Sequence, residues 1–433
     1  MDVLGGLLET LRAKCACLPD KRTGKNARYS LLDIGMAAFS VFFMQDESFL
    51  QHQLHLEEEN SSSNCQTLFG MSGIPTDNHI RNMLDGALPN HFDAVFAKTL
   101  RTIDEKDALA PFRRLGGRTL IALDGTEYFN SYEIHCDNCS HRARNNGKTE
   151  YFHTFLGATL VAPGHQKVIP LPPEFIVPQD GHEKQDSETA AAKRWLHKHG
   201  SNYVRYKPVY LGDDLFAKQP MCEAIHAAGG NFIFTCKPDS HKTIYEYLKG
   251  ATFFEHHEEI MKPGQGKVVH RYRWVCDIPL RSTDDSINVH WFEVEIFDAD
   301  GKRTYHNSFI TDIDIHKGNI VELTACGRAR WKIENEKFNV LKNNGYNLEH
   351  NFGHGKKTLA SMLVVFNLIA FAFHTACDLT EQAWQAAREA LKTQKRFFQR
   401  LWNAALFFVF STWDECMQAV MRSCKKRARA PAG

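Results

Sequence analysis

From Arg118 onward the chain alternates between strand-like and helix-like runs, and that order limits the fold more than any other feature. The strand-like runs "TLIALD", "HTFLGATLVAP" and "KVIPLPPEFIVP" come first. A helix, "SETAAAKRWLHKH", follows with Asp186 or Ser187 as its cap, then a strand, "KPVYLGDD". A further helix, "KQPMCEAIHAAGG", ends on its glycines before the strand "NFIFTCKP". Three strands followed by alternating helices and strands predict an α/β (mixed α+β) fold built on one mixed sheet. After Ser240 and a short helical stretch the period becomes two. "KVVHRYRWVCDI", "INVHWFEVEIF" and "RTYHNSFITD" read as a β-strand insertion, the last two strands joined by "DADGK". A long helix, "GRARWKIENEKFNVLK", then resumes the α/β pattern.

The flanks read differently. Residues 1–115 look helical: "SLLDIGMAAFSVFFMQ" has helical periodicity, and "IPTDNHIRNMLDGAL" offers Thr76 and Asp77 as caps. Short helices with exposed Lys and Arg suit a DNA-binding unit, and a helical scaffold gives the same pattern. The expected organisation is 1–115 helical, 116–240 the first part of the α/β core, 241–310 the β insertion, 311–376 the second part with an acidic helix, and 377–433 a helical region with a basic tail. That tail, "RSCKKRARAPAG", includes Lys425, Lys426 and Arg427. One segment, "TLASMLVVFNLIAFAFHTA", is apolar enough to raise the membrane question. It carries Asn367 and His374 in its interior, which favours a buried core helix and no membrane partner.

Composition narrows the class only slightly. With 43% hydrophobic and 24% charged residues among 433, this reads as a globular chain of two or three domains. The formal net charge of +1 excludes no partner, because clustered basic residues can bind nucleic acid in a neutral protein. Twelve scattered cysteines and a Met1–Cys15 segment without signal-peptide features predict a reducing cytoplasm and free thiols.

Chemistry enters at the strand ends. Leu120–Leu123 run straight into Asp124, where desolvating a charge is costly. Taken alone, Asp124-Gly125 reads as a turn. A second strand-end acid follows in "VYLGDDLFA", where Asp213 and Asp214 both qualify. If the first strand is central, the fourth can lie beside it and make the acids neighbours. The third acid lies in the long helix, where Trp331, Glu334, Phe338 and Leu341 form a helical stripe. Glu334 then sits on a buried face and needs a partner, either Arg330 or metal ions shared with Asp124 and Asp213. Three such carboxylates suit Mg²⁺ or Mn²⁺ and phosphodiester chemistry.

This series of strand with Asp, two strands, helix, strand with Asp, helix, strand, β insertion and helix with Glu resembles the RNase H-like core of DDE transposases. It is most similar to the IS4-like group of bacterial insertion-sequence enzymes, through "IALDGTEYF", "YLGDDLFA" and "RWKIENEKFNVLK". The resemblance covers roughly 118–376. It implies Asp124, Asp213 and Glu334 as catalytic metal ligands, with Asp213 preferred over Asp214. It also implies Mg²⁺ or Mn²⁺ as cofactor, terminal inverted repeats and target DNA as partners, a homodimer on two DNA ends, and a bacterial cytoplasm with association to the nucleoid. In the group's helix signature, Arg330 and Glu334 match. The Tyr position holds Gly327 and the Lys position Leu341, with Lys337 and Lys342 nearby. Arg330 and a nearby lysine, together with Lys425, Lys426 and Arg427, are the expected DNA contacts. A DNA-binding protein that has lost catalysis, and a nuclease that cuts without joining, are the alternatives.

Other polar clusters compete for a role. "EIHCDNCSHR" contains Cys136-x2-Cys139, half of a zinc pattern. Its other ligands are His141 and His153, or another Cys pair; the alternative is free thiols in a polar hairpin. His350 and His354 in "HNFGHGKK" are separated by Gly353 and read as a solvated loop. Asp180, Asp186 and Glu188 read as loop and helix-cap residues rather than catalytic acids.

Overall fold

A computed structural model describes residues 2–23, 27–178, 186–264 and 266–424. The expected basic contacts Lys425, Lys426 and Arg427, and Asp180, lie outside the described residues. The fold is mixed α/β, centred on one twelve-stranded sheet. Nine strands form its continuous path: β1 (Arg118–Ser131), β2 (Ser140–Ala143), β3 (Thr149–Val161), β4 (Pro208–Gly212), β5 (Asn231–Thr235), β6 (Phe254–Lys262), β7 (Gly266–Pro279), β8 (Asn288–Phe297) and β9 (Arg303–Thr311). Their spatial order is β2-β3-β1-β4-β5-β9-β8-β7-β6. Three short strands pair at the margins: Arg113–Arg114 on β1, and Ile169–Pro170 and Glu174–Ile176 on β3. The single strand expected over "KVIPLPPEFIVP" is thus two, split where Pro172 and Pro173 cannot donate to a ladder.

β1 is central, with β3 antiparallel on one side and β4 parallel on the other. Leu120–Leu123 are completely buried because helices cover both faces of a central strand. The β insertion is not a separate sheet. β9 pairs antiparallel with β5, so the insertion extends the core sheet outward. It contains one more strand than its periodicity suggests: β6, "FEHHEEIMK", whose run of His and Glu hides any apolar alternation.

The helical layer closes on itself from both ends of the chain. The 22-residue helix Leu359–Thr380 is long and apolar enough to cross a membrane, yet it is wrapped in protein along almost its whole length. Phe39 and Phe373 meet edge-on, as do Phe43 and Trp413, joining helix Leu31–Met44 to the C-terminal helices. Two polar side chains inside helix Leu359–Thr380 are each half-partnered at Tyr346. Asn367 donates to the Tyr346 carbonyl at 2.7 Å and His374 Nδ1 lies 2.7 Å from the Tyr346 hydroxyl, while Asn367 Oδ1 and His374 Nε2 have no hydrogen-bond partner among the described residues. Asn64 donates to the carbonyls of Ala405 and Phe408, both at 2.8 Å, which ties the N-terminal helices to the last ones. None of the twelve cysteines forms a disulfide.

The long helix expected over Gly327–Lys342 is broken. One helix, Ile320–Arg328, ends before a turn at Ala329–Arg330, and the next contains a π turn at Ile333–Phe338 before Asn339–Asn343. A π turn adds a residue and rotates the segment beyond it, so the 3.6-residue stripe does not hold through it. Ile333, Lys337, Phe338 and Leu341 are buried, whereas Trp331 is exposed and Glu334 half-buried.

Candidate active site

The Asp124-Gly125 step is not a turn. β1 runs through it, pairing Asp124 with Gly157 and Gly125 with Leu156. The glycine is needed for close approach instead. A Cβ on Gly125 would lie 2.3 Å from Glu188 Oε1, so Glu188 can reach the strand only because position 125 has no side chain. Gly157 has the same role on the other face, where a Cβ would come within 2.9 Å of Lys337 Nζ and of the Phe338 ring. Asp124 therefore sits on β1 where helices approach the sheet closely from both sides.

The parallel register decides which second acid joins it. Ala122 faces Leu211, so Asp213, two residues past Leu211, stands level with Asp124. Asp213 accepts the Leu215 N–H at 2.9 Å, which orients it in the loop after β4. Asp214 turns the other way and is occupied structurally. It accepts the Lys237 N–H at 2.7 Å and lies 3.2 Å from His241 Nε2.

The acidic helix supplies Glu334 and Arg330. Arg330 Nη1 lies 3.2 Å from Asp124 Oδ2, so the arginine's ion-pair partner is Asp124 and not Glu334. Burial raises the Asp124 carboxyl to about 6; Arg330 opposes the rise, and Asp213 and Glu334 add to it. Glu188, in the first turn of helix Glu188–Tyr203, is a fourth acid of this group. Burial pushes it up to about 7, with Asp124 and Asp213 adding to the rise. The sequence pattern assigns Glu188 to a helix cap. Ser187 is the cap, accepting from the Ala190 N–H at 3.2 Å, and Asp186 pairs with Arg194. The clue to Glu188 lay in Gly125, which has no turn to make.

The expected phosphate contacts fare unequally. Arg330 flanks the acids, with its guanidinium over the Trp331 ring at 4.7 Å, and Trp331 is 48% exposed. Lys342 is half-buried and paired with Glu349 at 2.7 Å. Lys337 must be corrected. It is fully buried, its Nζ donates to Thr159 Oγ1 at 2.9 Å, and burial lowers its pKa to about 7. No phosphate reaches it, because the π turn rotates it against β3.

A second polar group forms away from the acids. Among the described residues, Cys136, Cys139, His153 and His354 bring one ligand atom each to within 4.8 Å of one another. Three were expected; the fourth was not. The register Ser140–Phe152 places Cys139 beside His153 and leaves His141 farther along, level with Tyr151 and exposed. His354, read as a solvated loop residue, is buried and takes that place. His350 is exposed.

Hard oxygen donors suit divalent Mg²⁺ or Mn²⁺ at the acids; a divalent cation would relieve the repulsion that the neighbouring carboxylates add to the burial that mainly raises Asp124 and Glu188. No family model and no curated protein matches this chain. Among solved structures, the chain is similar to the piggyBac transposase synaptic complex with hairpin DNA, at 11% identity over 99% of this chain and 84% of that one, with a TM-score of 0.38. At so low a TM-score the likeness identifies neither fold nor chemistry.

Proposed function

We propose that this chain is a DDE transposase of the IS4-like arrangement, which cleaves the DNA ends of an insertion sequence and joins them to target DNA. The observation that carries the reading is Asp213 level with Asp124 across a parallel register, with Asp124 electrostatically coupled to Asp213 and to Arg330 and Glu334 of the acidic helix. The four-strand extension between Asp213 and Glu334 supports the IS4-like assignment. Asp124, Asp213 and Glu334 would hold Mg²⁺ or Mn²⁺, which would supply Lewis acidity and a more acidic water or 3′-hydroxyl.

The chain's own groups do the rest. Arg330 offers a planar fork to a phosphate, and moving from Asp124 to DNA would free that carboxylate for its ligand role. Trp331 presents an exposed indole on which an unpaired base can stack. The N-terminal helices and the basic tail are assigned to DNA ends, and two chains to a pair of ends.

The test uses the full chain with Mn²⁺ or Mg²⁺ and duplexes carrying the inverted repeats that flank its own gene. The expected products are a nick at the repeat boundary and joined DNA. Cleavage without joining would replace this reading with a nuclease; binding without cleavage would replace it with a DNA-binding protein.

A further inference from the structure

Cys136, Cys139, His153 and His354 come from three separate segments: the turn before β2, the middle of β3, and the loop that precedes helix Leu359–Thr380. The two sulfurs are 4.0 Å apart, far beyond the roughly 2.05 Å of a disulfide. His153 Nε2 lies 3.6 Å from Cys136 Sγ and 3.4 Å from Cys139 Sγ. His354 Nε2 lies 3.4 Å from Cys139 Sγ and 3.1 Å from His153 Nε2.

These separations have a common centre. A tetrahedral zinc with Zn–S of about 2.3 Å and Zn–N of about 2.05 Å sets edges of roughly 3.8 Å between sulfurs, 3.5 Å between sulfur and nitrogen, and 3.3 Å between nitrogens. The five observed edges fall within about 0.2–0.3 Å of that figure. Hydrogen bonding alone accounts for the set poorly. His354 Nδ1 lies 2.9 Å from the Gly355 carbonyl, which places its proton there and turns the bare Nε2 lone pair toward His153 Nε2. A backbone carbonyl on the far nitrogen is the usual support for a metal-bound histidine. The turn is built in the same sense: the Cys136 N–H points at Cys139 Sγ at 3.5 Å, and the Cys139 N–H donates to the Cys136 carbonyl at 3.0 Å.

We infer that Cys136, Cys139, His153 and His354 form a closed Cys2His2 structural zinc site. All four positions are filled by protein and three of the four ligands are buried, so no position is left for substrate. The site is a staple. It pins the far end of β1, through Phe129 against His354 and Tyr128 stacked on His153, to the loop after the acidic helix. Neighbouring contacts converge on that loop. Asn138 donates to the Lys357 carbonyl at 2.7 Å, and Asp85 accepts the N–H groups of Lys356, Lys357, Thr358 and Leu359 at 2.9–3.1 Å. Zinc binding releases the two thiol protons, so affinity falls as pH is lowered.

The test is metal analysis of the full chain, expressed with zinc and washed with a mild chelator, followed by replacement with Co²⁺. About one zinc per chain is expected, with thiolate-to-Co²⁺ charge-transfer bands and intense tetrahedral d–d absorption. His354→Ala should lose most of the zinc, His141→Ala should keep it, and His354→Cys should keep it with stronger charge-transfer absorption. If His354→Ala does not fold, the wild-type Co²⁺ spectrum and the His354→Cys and His141→Ala pair still decide. A wild-type chain without tightly held zinc or charge-transfer bands would overturn the inference, as would zinc lost in His141→Ala. These readouts need no DNA, so they stand or fall apart from the transposase reading.

Discussion

Arg330 Nη1 lies 3.2 Å from Asp124 Oδ2, with both side chains largely shielded from solvent. The guanidinium thus offsets part of the charge on a carboxylate that burial and two acidic neighbours disfavour. Arginine and a divalent cation compete for the same oxygen. Arg330→Ala should therefore bind Mn²⁺ as tightly as the wild type or more so in the absence of DNA, measured by titration calorimetry. Its DNA cleavage should fall at least about tenfold through loss of the phosphate fork. Weaker Mn²⁺ binding would show that Arg330 orders the acids rather than competing for them.

The two adjacent aspartates after β4 separate chemistry from stability. Asp213→Asn should abolish cleavage with little change in thermal stability. Asp214→Asn should destabilise the fold by about 1–3 kcal/mol, since it weakens the acceptor of the Lys237 N–H and the partner of His241. Thermal denaturation alongside a cleavage assay distinguishes them. The opposite pattern would exchange their roles.

The carboxylates at strand ends were legible because four apolar residues leading into Asp124, and a second strand ending on acids, need no tertiary information to stand out. That β4 can lie beside a central β1 followed from element order; its parallel register came from the structure. Trp331, Lys337 and His354 were not legible, for reasons of geometry. A stripe counted at 3.6 residues per turn cannot anticipate the break at Ala329–Arg330 or the π turn after it, and that turn exchanges the exposures assigned to Trp331 and Lys337. His354 is more than two hundred residues from its cluster partners, and Gly353 beside it suggested a loop open to water. The missing strand β6 has a physical cause as well: its charged and histidine residues carry no alternation to read.

Glu188 and Gly125 form a pair that single substitutions can separate. Gly125→Ala puts a methyl group where Glu188 Oε1 lies, so the carboxylate must withdraw, at a cost of about 1–3 kcal/mol. Glu188→Gln keeps the shape and removes the charge. If Glu188 tightens the field that attracts the cation, both variants should bind Mn²⁺ more weakly, and Glu188→Gln should lose little stability. Unchanged Mn²⁺ affinity in Glu188→Gln would make the residue a packing partner of β1 only.

Lys337 predicts an unusual pH dependence of stability. Its amine is completely buried against Thr159 and the Ala158 carbonyl, and burial lowers its pKa from 10.5 to about 7. The unfolded chain keeps the ordinary value, so between about 7 and 10.5 it binds more protons at this site than the folded chain does. Stability contributed through this site therefore rises with pH across that window and is lowest, and flat, below about 7, where the core must hold a charged amine. Lys337→Met keeps the length and removes the charge. It should stabilise the protein most at pH 6, by more than about 1 kcal/mol, and the gain should shrink steadily toward pH 10. Urea denaturation of both proteins at three pH values measures this directly. A gain that stays constant with pH would mean that Lys337 remains charged inside the fold, paired with a group on the acidic helix or β3.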